Sequence, residues 1–136
     1  MPDAMIANSE PAAILLVEDY DDAREMYAEM FKFAGHRVAT ACNGQEALDW
    51  ASSERFDLIV MDMALPKVDG VTVIKTLRSR PETRSTPIIA LSATVGEHMR
   101  KAALEAGADL FCVKPCSPDE LESKVRRLLD RRVGDQ

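Results

Sequence analysis

Short apolar runs alternate along the chain with longer segments in which apolar residues recur at helical spacing. Runs of four or five residues rich in Ile, Val and Leu are typical of buried strands. Five are present, the second weaker than the rest: 13–17, 37–40, 58–61, 87–91 and 110–113. Helical spacing follows each run and predicts five helices: about 21–34, 45–53, 70–80, 97–106 and 117–130.

Local signals support the ends of several predicted helices. Asp21 or Asp22 is a suitable N-cap for the first helix, and Gly35 suits the position just after its end. Gly107 ends the fourth helix in the same way. The fifth helix opens on Ser117-Pro118-Asp119-Glu120, which has capping-box spacing with proline at the first helical position.

The order of elements, strand then helix repeated five times, predicts an α/β fold. Apolar strands alternating with helices indicate a parallel sheet covered on both faces. Five units are too few for an eight-stranded barrel. We therefore expect a (βα)5 doubly wound five-stranded parallel sheet, flavodoxin-like, with strand order 2-1-3-4-5. The predicted domain spans 12–130, between a loose N-terminal tail at 1–11 and a C-terminal tail at 131–136.

Composition narrows the classes of function. The chain has 17 basic and 23 acidic residues and a net charge of −6, which argues against direct binding to nucleic acid or to an anionic membrane. We see no secretory signal and no apolar run near the ~20 residues that cross a bilayer. The initial Met and short tail favour a natural N-terminus, and we expect a cytoplasmic protein.

The three cysteines, Cys42, Cys112 and Cys116, are an odd and widely spaced set. A zinc site or a disulfide framework is therefore not expected, and reduced thiols are the simplest interpretation. Cys112 lies in an apolar run and is predicted to be in the core. Cys116 follows Pro115 and is predicted to be exposed.

Polar side chains stand where four of the five strands end. Glu18 and Asp19 follow the first strand, and Asp62 follows the third. In open α/β sheets ligands bind outside the carboxyl ends of strands where the strand order reverses, which here lies between strands one and three. Three carboxylates in one cleft repel unless a cation or proton intervenes, and hard oxygen ligands suit Mg²⁺.

Ser92 ends the fourth strand and Lys114 follows the fifth. Acids, a hydroxyl and an ammonium on one edge would bind a metal and an oxyanion together. Each residue also has an ordinary structural interpretation: Asp62 as a turn former, Ser92 as a helix cap and Lys114 as a surface lysine. Their joint placement favours the functional interpretation.

Four motifs, "ILLVEDYDD", "LIVMDMALPKVDG", "PIIALSA" and "GADLFCVKP", occur in this order at the strand ends. The chain resembles the receiver domain of two-component response regulators, including the single-domain chemotaxis type, from about Ala12 to Leu129. The resemblance implies that Asp62 is the phosphoacceptor. It also implies that Asp19, Asp62 and the backbone carbonyl of Ala64 bind Mg²⁺, with Glu18 contributing through water.

The resemblance assigns further roles near the site. Ser92 stands where a hydroxyl contacts the phosphoryl group, and Lys114 where a lysine pairs with it, beside a cis Lys114-Pro115 bond. Phe111 stands at the aromatic switch position, which is often Tyr in the family. Ala64 and Thr94 stand where side chains tune the attack of water.

The implied donor is a sensor histidine kinase or a histidine phosphotransfer protein, with acetyl phosphate as a small-molecule alternative. The implied output is a change of the surface formed by the fourth helix, fifth strand and fifth helix, which would bind an unknown downstream protein target. We expect a monomer or a weak phosphorylation-dependent dimer. We do not expect an enzyme beyond promotion of its own phosphorylation and slow dephosphorylation.

Two other interpretations stay open. A Mg²⁺-dependent aspartyl-phosphate phosphohydrolase would resemble this site, but such enzymes carry a second Asp two residues after the nucleophile, and Ala64 stands there. A non-phosphorylated receiver-like scaffold is opposed by the complete set of acids, hydroxyl and lysine. A nucleotide-binding module is weaker still, because neither G-x-G-x-x-G nor G-x-x-x-x-G-K-[ST] follows a strand. For this length, we do not expect a DNA-binding output domain.

Overall fold

In the computed structural model, which describes residues 11–93 and 97–134, five parallel strands form one sheet in the order β2-β1-β3-β4-β5. The strands are β1 (Ala13–Val17), β2 (Arg37–Ala41), β3 (Leu58–Asp62), β4 (Ile88–Ser92) and β5 (Leu110–Val113). The helices are α1 (Asp21–Phe33), α2 (Gly44–Ser53), α3 (Gly70–Ser79), α4 (Glu97–Ala106) and α5 (Pro118–Gly134). The predicted fold class and strand order are confirmed.

Helices cover both faces of the sheet. As a consequence, every residue of β1, β3 and β4 is buried. One core cluster unites residues of α1 and α5, such as Phe31 and Leu121, with alternate strand residues. The other unites residues of α2, α3 and α4, such as Ala47 and Ile74, with the remaining strand residues. This two-sided burial explains why the strands read as continuous apolar runs rather than alternating ones.

The helix ends agree with the sequence in most places. Gly35 has a φ of 98° and Gly107 a φ of 125°, the left-handed conformation that ends helices at low cost in glycine. The Ser117 hydroxyl accepts a hydrogen bond from the Glu120 amide at 3.1 Å, as the capping pattern predicts. Asn43 and Asp69 cap α2 and α3 in the same way.

Two predicted helix boundaries are wrong. The N-cap of α1 is Tyr20, which makes no side-chain capping bond, because the Asp21 carboxylate pairs with Arg24 instead. Helix α5 continues to Gly134, past the predicted end near residue 130, since no glycine or proline interrupts the chain before that point. The predicted N-terminal tail falls on residues 1–10, outside the described residues, apart from Pro11.

The fold contains no candidate for a membrane span: none of the helices in the part of the chain described here is long and apolar enough to cross a bilayer.

Candidate functional site

The carboxyl ends of β1 and β3 lie side by side, at the point where the strand order reverses. Val17 pairs with Met61 in the parallel ladder, so that Glu18 and Asp62 leave the sheet next to each other. On the other side of β3, Asp62 pairs with Leu91, one residue before Ser92. The sheet topology therefore gathers the predicted residues at one edge.

Three carboxylates converge at this edge. One oxygen from each of Glu18, Asp19 and Asp62 lies within 4.8 Å of the others. Glu18 and Asp62 are 0% and 3% exposed, whereas Asp19 is exposed. Two buried carboxylates and one exposed carboxylate therefore form an acidic site that is open to solvent on one side. Such a set of hard oxygen donors fits Mg²⁺, which keeps several waters when it binds to protein.

The Lys114 ammonium forms ion pairs with the two buried carboxylates, Glu18 and Asp62. Its Nζ donates to Glu18 Oε1 at 2.6 Å and to Asp62 Oδ2 at 3.0 Å. Burial lowers the pKa of Lys114, but the hydrogen bonds to the two carboxylates outweigh burial and leave this pKa raised. The lysine is therefore charged at neutral pH and neutralises part of the buried negative charge.

Backbone amides fix the remaining oxygens of both buried acids. The Ala64 amide donates to Asp62 Oδ1 at 3.0 Å, and the Tyr20 amide donates to Glu18 Oε2 at 3.1 Å. The carboxylates are thus held before any ligand arrives. The structure places Ala64 at the site through its amide, and the role of its carbonyl as a metal ligand stays a prediction.

The loop after Asp62 needs glycine at its far end. A Cβ on Gly70 would lie 2.7 Å from the Met63 Cα and 2.9 Å from the Asp62 carbonyl oxygen. Real Cβ atoms do not approach backbone this closely, so only glycine allows α3 to begin against the end of β3. This contact holds the Asp62 segment between the helix and the sheet.

Ser92 and Lys114 are joined through the backbone. Ser92 is buried at the end of β4, and its carbonyl accepts a hydrogen bond from the Lys114 amide at 2.7 Å. The predicted cis bond between Lys114 and Pro115 is present. Phe111 lies in β5 opposite Ala90, half-buried against the core under α2–α4. Thr94 lies outside the described residues.

Two features of this region were not predicted from the sequence, and the first is the position of Arg24. Arg24 donates to the backbone carbonyls of Glu18 at 3.0 Å and Asp19 at 3.4 Å, and so holds the β1–α1 loop. The available signal in the sequence was an arginine two residues after the acidic cluster at 18–22.

The cysteines are the second such feature. Cys112 and Cys116 form a disulfide, with their Cα atoms 6.4 Å apart, so the prediction of reduced thiols is wrong for this pair. Cys116 is 2% exposed rather than exposed as predicted. The chain bends between β5 and α5 and brings the two residues together, which sequence spacing alone did not show.

The buried Glu18 carboxyl should make stability depend on pH. Burial, the largest influence, raises its pKa above the ordinary 4.5, against hydrogen bonds from Lys114 and Tyr20 that lower it. Between the ordinary and the raised pKa the folded state holds more protons than the unfolded state, so the free energy of unfolding falls as pH rises through this window. The Lys114 contribution is constant there, because it is lost only above pH 10.5, between the ordinary pKa of that group and its raised pKa.

We expect Glu18→Gln to remove this fall. The measurement is urea unfolding with a chelator present, from pH 4.5 upward to pH 7. Glu46→Gln is the control: the Glu46 carboxylate is exposed, with its pKa lowered by a hydrogen bond from the Cys42 amide. If the free energy of unfolding fell equally with pH in the Glu18→Gln protein, Glu18 would not be the source of the pH dependence.

Comparison with known proteins gives consistent matches. The family model for the response regulator receiver domain matches residues 14–126. Response regulator MprA of Mycolicibacterium vanbaalenii is 38% identical over 92% of this chain and 53% of that protein. The alkaline phosphatase synthesis transcriptional regulatory protein PhoP of Bacillus subtilis is 39% identical over 87% of this chain and 48% of that protein. The chain spans about half the length of the curated relatives it matches.

Solved structures show the same fold. The chemotaxis response regulator CheY4 of Vibrio cholerae has a TM-score of 0.83 and 31% identity, covering 88% of this chain and 99% of that one. The receiver domain of sensor histidine kinase PA1611 from Pseudomonas aeruginosa has a TM-score of 0.83 and 32% identity, covering 89% and 99%. That structure is described with a magnesium ion coordinated in the active site cleft.

Proposed function

Because this chain belongs to the response regulator receiver domain family, whose members accept phosphoryl groups in two-component signalling, we propose that Asp62 is its phosphoacceptor. The observation that carries the proposal is the position of Lys114 Nζ between Glu18 Oε1 and Asp62 Oδ2. A cation held against a buried carboxylate is suited to an incoming dianionic phosphoryl group.

The proposed reaction transfers a phosphoryl group to Asp62. A carboxylate oxygen attacks phosphorus, and the bond from phosphorus to the histidine nitrogen of the donor breaks, or the bond to the acetate oxygen when acetyl phosphate is the donor. The product is an acyl phosphate on Asp62. Lys114 offsets the charge of the transferring group, so the protein contributes mainly position and electrostatics.

Mg²⁺ is the proposed cofactor. Asp19 and Asp62 would hold it directly, together with the carbonyl of Ala64, and Glu18 would contribute through water. When bound, the ion supplies positive charge that offsets the charge of the phosphoryl oxygens. The three converging carboxylates support this assignment, because without a cation their charges are balanced only in part by Lys114.

The test is to identify which residue becomes phosphorylated. We expect acetyl phosphate with Mg²⁺ to modify Asp62 alone, detected by reductive trapping of the acyl phosphate and mass spectrometry of the peptides. A chelator should prevent the modification. Labelling at Asp19 or Asp57, or labelling that a chelator leaves unchanged, would count against the assignment.

We further propose that phosphorylation is transmitted through Ser92 and Phe111. Ser92 ends β4 within reach of the Lys114 backbone, and Phe111 lies on the neighbouring strand with its ring half-buried. A phosphoryl group that draws the Ser92 hydroxyl inward would vacate space for the Phe111 ring. This shift in population would change the surface of α4, β5 and α5 where the downstream protein binds.

This switch predicts separable effects. Ser92→Ala should still allow phosphorylation of Asp62. It should lose most of the gain in affinity for the downstream protein that phosphorylation gives, because it lacks the hydroxyl that the phosphoryl group would draw inward. Phe111→Tyr should keep the gain, since the ring keeps its shape. The measurement is partner affinity with and without beryllofluoride, a phosphoryl mimic. A full gain in partner affinity in the Ser92→Ala protein would show that phosphorylation is transmitted by a route that does not include Ser92.

The proposed partners follow the family. The donor is a sensor histidine kinase or a histidine phosphotransfer protein in the cytoplasm, and the output is a protein rather than nucleic acid. We propose a monomer or a weak phosphorylation-dependent dimer that catalyses only its own phosphorylation and slow dephosphorylation. Screening histidine kinases of the organism for the rate of phosphotransfer would identify the donor, and absence of transfer from every kinase would contradict the proposal.

A further inference from the structure

Two buried cysteines bracket Lys114 in the segment that joins β5 to α5. Cys112 lies in β5, and Cys116 precedes the N-terminus of α5. Both are almost fully buried in the core cluster that contains residues of α1 and α5. Their disulfide closes a short ring of backbone with Lys114 at its centre. The sulphurs anchor this ring in the core, while the Lys114 side chain reaches the carboxylates at the edge of the sheet.

Hydrogen bonds hold the same ring at two points. The Lys114 amide donates to the Ser92 carbonyl at 2.7 Å, and the Tyr27 hydroxyl donates to the Cys116 carbonyl at 2.8 Å. The Lys114 side chain remains 22% exposed, so packing alone does not immobilise it. The disulfide removes conformational freedom that these hydrogen bonds leave.

We propose that Cys112 and Cys116 are positioning residues for Lys114, and that closing their disulfide holds the ammonium more firmly against Glu18 and Asp62. The inference rests on the proposed function, because the ammonium can promote transfer only if Asp62 receives a phosphoryl group. With open thiols, this segment is held only by hydrogen bonds and by the packing of the two buried cysteines, and Nζ leaves the two carboxylates more often. Catalytic rates fall steeply when a charged group is displaced by about 1 Å.

The redox step is thiol–disulfide exchange with a low-molecular-weight disulfide such as oxidised glutathione. The thiolate of one cysteine attacks a sulphur of the small disulfide, whose S–S bond breaks to release one small thiol. The second cysteine thiolate then attacks the mixed disulfide and releases the other small thiol. The protein loses two electrons and two protons, and the small disulfide gains them. A dithiol reverses the reaction.

The inference predicts two opposite effects of closing the ring. At a saturating concentration of Mg²⁺, phosphorylation by acetyl phosphate should be faster, by about tenfold, because the ammonium is in place when the phosphoryl group arrives. The affinity for Mg²⁺ alone should be weaker, because the ammonium competes with the metal for the same carboxylate oxygens. A ring that merely stabilised the fold would strengthen both or neither.

The experiment compares protein treated with oxidised glutathione and protein treated with dithiothreitol, with the thiols counted by alkylation. Each form is assayed for the rate of labelling by acetyl phosphate and, separately, for Mg²⁺ affinity by titration. The Cys112→Ala/Cys116→Ala double variant should behave as the reduced protein after either treatment. Cys42→Ala, which removes the third cysteine, should keep the full response.

Lys114→Met tests whether the effect passes through the ammonium. In that variant the Mg²⁺ affinity should no longer depend on the state of the cysteines. Equal rates and equal Mg²⁺ affinities for the two forms of the wild type would overturn the inference, as would parallel rather than opposite changes or a redox response of the double variant. If neither form is labelled but the Mg²⁺ affinity still responds through Lys114, the proposed function fails and the positioning role stands.

Discussion

An Asp62→Asn variant should keep the wild-type fold and accept no phosphoryl group from acetyl phosphate. The amide oxygen of Asn can still accept the hydrogen bond from the Ala64 amide, so the end of β3 keeps its backbone support. A neutral amide is not a nucleophile towards phosphorus, and the substitution also removes one carboxylate from the proposed Mg²⁺ site. We expect the labelling rate to fall by about 10³-fold or more, to the background level.

Asp69→Asn is the matched control for this experiment. Asp69 lies in the same β3–α3 loop, and its side chain caps α3 by accepting from the Thr72 amide at 2.9 Å. Asparagine caps helices as well as aspartate does, so this variant should be labelled at the wild-type rate. Circular dichroism of both variants checks the fold. Labelling of Asp62→Asn at more than a few per cent of the wild-type rate would show that another residue accepts the group.

The second large effect is expected at Arg78, far from the carboxylates. Its guanidinium donates to the Asp109 carboxylate at 3.0 Å and to four backbone carbonyls in the loops before β4 and β5. Those carbonyls belong to Thr83, Arg84, Thr86 and Gly107. The same Asp109 carboxylate accepts from the Ile88 amide at 2.8 Å, so one arginine ties α3 to the start of two strands.

Arg78→Ala should lower the free energy of unfolding by about 3 kcal/mol, because it removes the charged partner of the partly buried Asp109 carboxylate and the arginine donor to four backbone carbonyls. For a domain of this size this corresponds to a fall in Tm of roughly 10 °C. Burial lowers the pKa of Arg78 below its ordinary value, and the Asp109 carboxylate offsets only part of that lowering. Denaturant unfolding measures the change.

Arg80→Ala provides the comparison, because within 11–93 and 97–134 the Arg80 side chain makes one hydrogen bond, to the Ser52 hydroxyl at 3.0 Å. Its cost should be below about 1 kcal/mol, as for most exposed polar contacts. Equal losses of stability in the two variants would mean that the carbonyl contacts of Arg78 contribute little. A fall confined to Arg78→Ala would confirm that this arginine stabilises the end of the sheet opposite to the carboxylates.

The sequence by itself determined the elements and their order, because the signals are local. Apolar runs marked the strands, and the structure begins β1 and β5 at the predicted residues. The left-handed Gly35 and Gly107 ended helices as predicted, since this conformation depends on the single residue. The meeting of Glu18 with Asp62 also followed from the sequence, because parallel strands bring their carboxyl ends to one edge.

Tertiary structure alone decided which of these side chains form hydrogen bonds or a disulfide with each other. Lys114 reaches Glu18 across 96 positions of sequence and Asp62 across 52, and no local pattern records such contacts. The contacts of Arg78 exist only because the loops before β4 and β5 pack against α3. The Cys112–Cys116 bond was missed because the bend after β5 sets the distance between the two residues. These contacts depend on how elements pack together, which is a property of the whole chain rather than of any segment.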